Sequence, residues 1–397
     1  MAHPYLSTLD ITANTNVKDY SPYFYRLPLP GGEARLWNLL NKREDVSDTL
    51  ITWFEDTDVP ITAAAVNSAD GDLTASEGDT NLVFASGVTA ASFLRVGMML
   101  RDTADGKDEV IQLVTDNGSE SWTITRSVGT PAVETHDRAA TWMILGTPQY
   151  EGSGFGTPVG SNRVPYTNTT SILDDQLRLT RTQMKQVMHA VPSNWIWTLE
   201  RTLRHFERMM ERHVVWASAT TRATSVPGTC NGIVQLKRFN GASSMYDTGF
   251  GTFTYKKFDD IMLDFAESGY GPETDLVMIA PFVAKQAAAY IHESAFRANY
   301  ATETTRGLMA DTLLSTQGHR VPILPIAGMG DRFMILPLEK AAVRFVEDST
   351  MIALDIPYGE AGNDFAARRF ISEFTVELHN ADKAVYLAED VDFVVPE

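Results

Sequence analysis

Apolar residues recur at Ile196, Leu199, Leu203, Phe206, Met210 and Val214, in steps of three and four. That spacing is one stripe of an α-helix. Ser193, directly after Pro192, is a suitable N-cap. The pattern predicts a helix over 193–218, about 36 Å long at about 1.5 Å per residue. Its other face carries Arg201, Arg204, Arg208 and Arg212. A second amphipathic helix is predicted over 255–268, with Phe258, Ile261, Met262 and Phe265 inward, ended by Gly269 and Gly271. The unbroken apolar run 276–280 reads as a strand buried on both faces. Pro281 then suits the first turn of a helix continuing to about residue 298. Further strands are expected at 321–326 and 333–336, with a loop or short helix over 300–317. Near the end Phe370, Ser372, Phe374, Val376 and Leu378 alternate onto one strand face. Asn380-Ala381-Asp382 then reads as the turn of a hairpin returning over 384–387.

The pattern changes over 62–146. Short β-rich runs at 82–84, 93–101, 109–115, 122–125 and 142–145 are punctuated by Asp70-Gly71, Asp105-Gly106 and Asn117-Gly118. Strands at this spacing predict a small all-β subdomain, without the polar cluster an active site needs. The linker 147–168 follows, with glycines at 152, 154 and 156. No Lys-Ser or Lys-Thr comes after them, so they are not a phosphate loop. At the start, 20–30 hold three prolines and four aromatics, Tyr20, Tyr23, Phe24 and Tyr25. Proline breaks regular structure, and aromatics need a surface to cover them. An arm lying on a partner and an irregular segment packed on its own domain both satisfy this composition. One or two helical turns over 32–41 and a strand over 49–54 complete this region.

Composition narrows the class. The 397 residues, 44% hydrophobic and 21% charged, fit a globular protein of two or three domains. No apolar run is long enough to span a membrane, and the first residues lack the charge and apolar core of a signal peptide. No trimmed N-terminal scaffold segment is expected. The net charge of −18 argues against a protein that grips nucleic acid, though not against one that encloses it. The single cysteine, Cys230, has no disulfide partner and matches no thiol-nucleophile motif, so it reads as a small packed side chain.

Candidate chemistry is sparse. His205 and His213 stand eight apart, not the four of a zinc-protease helix. Asp70 and Asp72 begin like a calcium loop, but the twelfth position holds Asn81 where that loop needs Glu. Asp174 and Asp175 are adjacent, so in a strand they would point to opposite faces. No catalytic, metal or cofactor site is expected. The arginines of the long helix read as a solvated face, or as a cationic stripe toward nucleic acid or a neighbouring subunit.

The order of parts, together with several segments, resembles the major capsid proteins of tailed bacteriophages with the HK97-type fold, in the branch whose extended loop carries a β-rich insertion. The segments are Phe93-Leu94-Arg95-Val96-Gly97-Met98-Met99-Leu100 through Glu109-Val110-Ile111 to Thr123-Ile124-Thr125-Arg126-Ser127-Val128-Gly129-Thr130, then Asp275-Leu276-Val277-Met278-Ile279-Ala280-Pro281, and Arg369-Phe370-Ile371-Ser372-Glu373-Phe374-Thr375-Val376-Glu377-Leu378-His379-Asn380. The resemblance implies an α+β fold with an N-terminal arm over 1–55 and an extended loop over 56–170 bearing the insertion at about 62–146. It implies a peripheral domain of 171–224 and 346–397 around the spine helix 193–218, and an α/β axial domain over 225–345. It further implies a structural subunit, not an enzyme, assembling through pentamers and hexamers into an icosahedral shell around double-stranded DNA. Portal, scaffolding or decoration proteins would be its other partners, the virion its location and the host bacterial cytoplasm its place of synthesis. Tyr23, Phe24, Tyr25 and the four arginines would then touch other subunits or the inner surface. The rival readings are an encapsulin-like shell for protein cargo, an accessory virion protein, and an enzyme with an unfamiliar acidic site.

Overall fold

The computed structural model describes residues 35–42, 45–56, 61–65, 73, 78, 80–84, 93–104, 106–118, 121–129, 131–137, 140–149, 151–152, 154, 163–185, 193–240, 245–296, 312–356 and 364–393. The chain forms two compact units, Met1–Trp53 with Tyr166–Glu397, and Phe54–Pro165. Tyr23, Phe24 and Tyr25 lie outside the described residues.

Among the described residues the first unit begins with helix α1 (Arg35–Leu39), strand β1 (Asn41–Lys42) and strand β2 (Leu50–Asp56). Ile51 and Trp53 of β2 are buried while Leu50, Thr52 and Phe54 are exposed, the two-residue alternation of a half-covered strand.

The second unit contains β3 (Thr62–Ala64), β4 (Asn81–Val83), β5 (Met99–Asp102), β6 (Val110–Asp116), β7 (Ser121–Thr125) and β8 (Thr141–Gly146). They form one antiparallel sheet in the order β3-β8-β5-β6-β7-β4. An Ala65–Phe84 bridge joins the two end strands, so the sheet closes on itself. Closure removes the unpaired edges that make a lone small sheet prone to association. Inward positions supply a core of Leu82, Phe84, Leu100, Ile111, Leu113, Trp122, Ile124 and Trp142. The Asn117-Gly118 turn forms where the sequence places it, with Gly118 at φ 75°, a conformation natural to glycine.

The chain re-enters the first unit through β9 (Arg163–Thr169), which pairs with β2, and continues as β10 (Ser171–Thr180), α2 (Arg181–Lys185), α3 (Asn194–Trp216) and α4 (Ile233–Asn240). Next come β11 (Tyr246–Asp247), β12 (Gly251–Thr252), α5 (Tyr255–Glu267), β13 (Leu276–Ala280) and α6 (Phe282–Phe296). The last elements are β14 (Thr312–Leu314), β15 (Arg320–Pro325), β16 (Phe333–Pro337), β17 (Ala341–Phe345), β18 (Ile352–Ile356), β19 (Phe365–Leu378), α7 (Ala381–Ala384), β20 (Tyr386–Ala388) and β21 (Val391–Asp392).

Two sheets organise this unit. One runs β1-β17-β19-β10, with β18 also beside β19, and the other runs β11-β20-β16-β13-β15-β14. The apolar strand β13 is central, paired with β15 in parallel and β16 antiparallel, as a strand covered on both faces should be. Helix α5 buries Phe258, Ile261, Met262 and Phe265, the four residues its periodicity selects. A second core joins α1, α3 and α4 to β17 and β19 through Leu36, Trp37, Phe206, Met210, Val214, Phe345 and Phe374.

Three expectations are corrected. The chain after β19 does not fold back as a hairpin. β19 is already paired with β10 and β18 along most of its length, and Asn380 at φ 52° turns the chain away. α7 follows, and β20 joins β16 and β11 in the other sheet. Residues 312–314, expected as loop or short helix, are strand β14. The α3 stripe is not uniformly buried: Ile196 is 56% exposed, Leu199 and Leu203 are half-buried, and full burial begins at Phe206.

Candidate functional site

Helix α3 begins at its expected cap, with the Ser193 hydroxyl accepting the backbone N–H of Ile196 at 3.4 Å. Arg201, Arg204 and Arg212 are exposed and Arg208 is half-buried, and their spacing puts all four on one stripe. The Arg201 guanidinium lies 6.0 Å from the Trp197 ring, and Arg212 Nε donates to the Arg208 carbonyl at 3.3 Å. Beside them His205 Nδ1 is 2.9 Å from Asp175 Oδ2. Asp174 points to the other face of β10, where it pairs with Arg369 at 2.8 Å. The adjacent aspartates therefore serve opposite faces, as read from the sequence.

On its covered side α3 buries a carboxylate that periodicity did not select. Glu211 accepts the backbone N–H of Leu36 at 2.7 Å and that of Trp37, so one side chain holds the first turn of α1. Burial raises its pKa above the ordinary carboxylate value, against the two amides that favour the charged form.

The first unit also contains a serine–histidine contact. Ser171 Oγ is 2.8 Å from His213 Nε2 and accepts the N–H of Cys230 at 2.5 Å. A nucleophile and base at this distance could start acyl transfer. Here Ser171 is fully buried and its oxygen is occupied by a backbone donor. Burial also lowers the pKa of His213, and it pushes the Cys230 thiol up to about 11, so the thiol stays protonated. The contact ties α3 to β10 and the loop before α4. Cys230 is packed, as expected, and completely so.

The second unit holds a buried polar cluster that the sequence reading, which expected none of the kind an active site needs, did not identify. Asp102, Glu109, Arg126 and His136 are all buried. Arg126 grips Glu109 in a fork, Nε to Oε1 at 2.9 Å and Nη2 to Oε2 at 2.7 Å. Glu109 also accepts the backbone N–H groups of Ser127 at 3.1 Å and Glu134 at 2.8 Å. His136 sits between two acids, Nδ1 2.7 Å from Asp102 Oδ2 and Nε2 2.9 Å from Glu109 Oε2. Burial alone would raise the pKa of Glu109, but these hydrogen bonds and the Arg126 charge hold it at about 2. The four groups saturate one another, which makes a structural knot and leaves no atom aimed at a substrate. They come from strand ends and a loop with no periodic spacing, so no sequence pattern marks them.

Among the described residues no three His, Cys, Asp or Glu side chains converge as a metal site, and no helix is long and apolar enough to cross a membrane.

Comparison with known proteins adds a family. The profile of the SU10 major capsid protein family matches residues 12–392. No curated protein matches the chain. Among solved structures, the capsid of a native GTA particle is similar at 9% identity over 96% of this chain and 97% of that one, with a TM-score of 0.51. A chain of Mycobacterium phage Cain is similar at 9% identity over 98% and 100%, with a TM-score of 0.49. A chain of Microbacterium phage Oxtober96 is similar at 11% identity over 97% and 99%, with a TM-score of 0.48.

Proposed function

The chain belongs to the SU10 major capsid protein family, and from that premise we propose that it assembles through pentamers and hexamers into a shell around double-stranded DNA. It is a structural protein of the phage virion with the mixed α+β, HK97-like fold of phage capsids. The family match over 12–392 is the observation that carries the reading.

The proposed work is mechanical rather than enzymatic. Of residues 1–55, the part bearing Tyr23, Phe24 and Tyr25 acts as an arm on a neighbouring subunit, while α1, β1 and Trp53 of β2 pack on this chain's own core. Residues 56–170 act as an extended loop carrying the closed β unit. The sheet backed by α3 serves as the peripheral domain and the sheet built on β13 as the axial domain at five-fold and six-fold centres, with β17 in the former and β20 in the latter, across the expected bounds 225–345 and 346–397. Many modest contacts then add as avidity. Arg201, Arg204, Arg208 and Arg212 face the packaged DNA as a backbone-reading stripe without sequence recognition. A net charge of −18 supports enclosure rather than tight gripping. Portal and scaffolding proteins are its further partners, and synthesis takes place in the host cytoplasm.

Negative-stain electron microscopy with size-exclusion chromatography tests this. Closed shells, or pentamers and hexamers that close into shells, are expected. A monomer or dimer under every salt and pH condition would overturn self-assembly. Nuclease-protected DNA inside shells from infected cells separates a genome container from a protein-cargo shell. Replacing the four arginines by glutamine is expected to leave assembly intact and lower packaged DNA; unchanged DNA content would remove the stripe from the inner surface.

A further inference from the structure

We infer that one buried proton, shared between Asp102 and His136, locks residues 126–129 and 131–136 onto the closed β unit, and that alkaline solution opens this lock. The inference concerns the second unit alone and does not rest on the shell reading.

His136 is fully enclosed, and each of its ring nitrogens lies within hydrogen-bond distance of a carboxylate oxygen. Each contact needs one hydrogen between its two heavy atoms. Glu109 is held ionised by Arg126 and two backbone amides, so the hydrogen on that side belongs to Nε2. The Nδ1–Oδ2 contact therefore holds a second one, on whichever atom it resides. Asp102 and His136 together carry one proton more than a neutral imidazole facing an ionised carboxylate. With it the knot is neutral, because Arg126 balances Glu109 and the shared proton balances Asp102. Without it a net negative charge is left in a site sealed from water, with two lone pairs facing across 2.7 Å. Both features are costly in a buried site.

Among the described residues none replaces this proton. Asp102 lies on β5 and spends its other oxygen on the N–H of Ala104 at 3.0 Å. Lys107 and Asp108, ahead of β6, are turned elsewhere, Lys107 to the Thr135 carbonyl at 2.5 Å and Asp108 to Arg101 at 2.6 Å. Arg126, after β7, is committed to Glu109 and to the Glu134 carbonyl. Glu134 gives its backbone N–H to Glu109 and its carbonyl to Arg126, its carboxylate accepts the Asp108 N–H at 3.4 Å and is an acceptor only, and β8 presents the ring of Trp142, 4.8 Å from His136. Deprotonation is relieved when His136 leaves the site. Its own N–H, bonded to the Leu73 carbonyl at 2.9 Å, and those of Ser127 and Glu134 then become exposed.

Amide hydrogen exchange on the full chain, followed by mass spectrometry from pH 6 to 11 and corrected for the intrinsic rate, reads this directly. Peptides covering Ser127, Glu134 and His136 are expected to lose protection about tenfold per pH unit once the lock titrates, as release of one proton requires. Those covering β6 and β7 should stay protected. In Asp102→Asn the side-chain amide donates to a neutral Nδ1, so no extra proton is needed and protection should not change with pH over this range. Flat protection in the wild type to pH 11, or an equal slope in Asp102→Asn, would overturn the lock. If Asp102→Asn fails to fold, the wild-type profile decides alone.

Discussion

The carboxylate of Glu211, on α3, accepts the backbone N–H of Leu36 at 2.7 Å across 175 positions of sequence. A five-residue helix such as α1 cannot hold itself together in water. It persists because a buried acid caps its first turn and Leu36, Trp37 and Leu40 fill the core beneath. Glu211→Ala leaves two amides without an acceptor and should cost about 1–3 kcal/mol. Glu211→Gln keeps an acceptor and should cost less. Urea unfolding of the two variants checks the order.

Glu211 also sets a pH dependence. Its folded pKa is raised above the ordinary 4.5 by burial. A raised value means that the group's contribution is fully present below the unfolded pKa and fades as pH rises through the folded one. The wild type should therefore lose stability relative to Glu211→Gln as pH climbs out of the carboxylate range. Parallel pH profiles for the two proteins would remove Glu211 as the source.

Gly232 packs against the end of α3, where a Cβ would lie 2.7 Å from the Val214 carbonyl oxygen and 2.8 Å from that of Val215. Those atoms are backbone and cannot swing aside. Gly232→Ala should cost about 1–3 kcal/mol by overpacking and lower the thermal midpoint by several degrees. Gly249→Ala, which meets nothing within 4 Å, is the control and should be far milder.

Glu109 is held at about 2, below its ordinary 4.5. A depressed carboxylate contributes stability above its unfolded pKa and loses it as pH falls through the folded value. At about 1.4 kcal/mol per unit this is about 3 kcal/mol, expected to be present at neutral pH and lost between about pH 4.5 and pH 2. Glu109→Gln should remove it at neutral pH. Acid titration followed by tryptophan fluorescence of Trp122 and Trp142 would show the difference.

Lys237 is completely buried, donating to the carbonyls of Ala381 at 2.7 Å and Asp382 at 3.3 Å. Burial lowers its pKa to about 8 from 10.5, against the opposing charge of Asp382. Between those values the unfolded chain binds more protons, so this group makes stability rise with pH. Lys237→Met should abolish that rise and strand the two carbonyls, costing about 1–3 kcal/mol at pH 7. Chemical denaturation at pH 7 and pH 10 separates the two effects.

Wherever one periodicity ruled a segment, the sequence was enough to determine the element. The α5 face, the central strand β13, the Ser193 cap and most of the short β runs of the second unit follow from a spacing of 3.6 or 2 and a turn residue, because burying apolar side chains on one side is a local requirement; of the run at 93–101 only the part from Met99 is strand. The arginine stripe of α3 was legible for the same reason. Strand β10 was not, since its faces carry Asp174 and Asp175, whose partners Arg369 and His205 lie far along the chain. The route of β20 into the second sheet was decided by the neighbours β19 had already taken, and the burial of Glu211 by the arrival of α1. The Asp102–His136–Glu109–Arg126 knot is the extreme case. A charged residue reads as exposed until its counter-charges come within hydrogen-bond distance, and only the pairing of β5, β6 and β7, with the His136 segment laid against them, brings these four together.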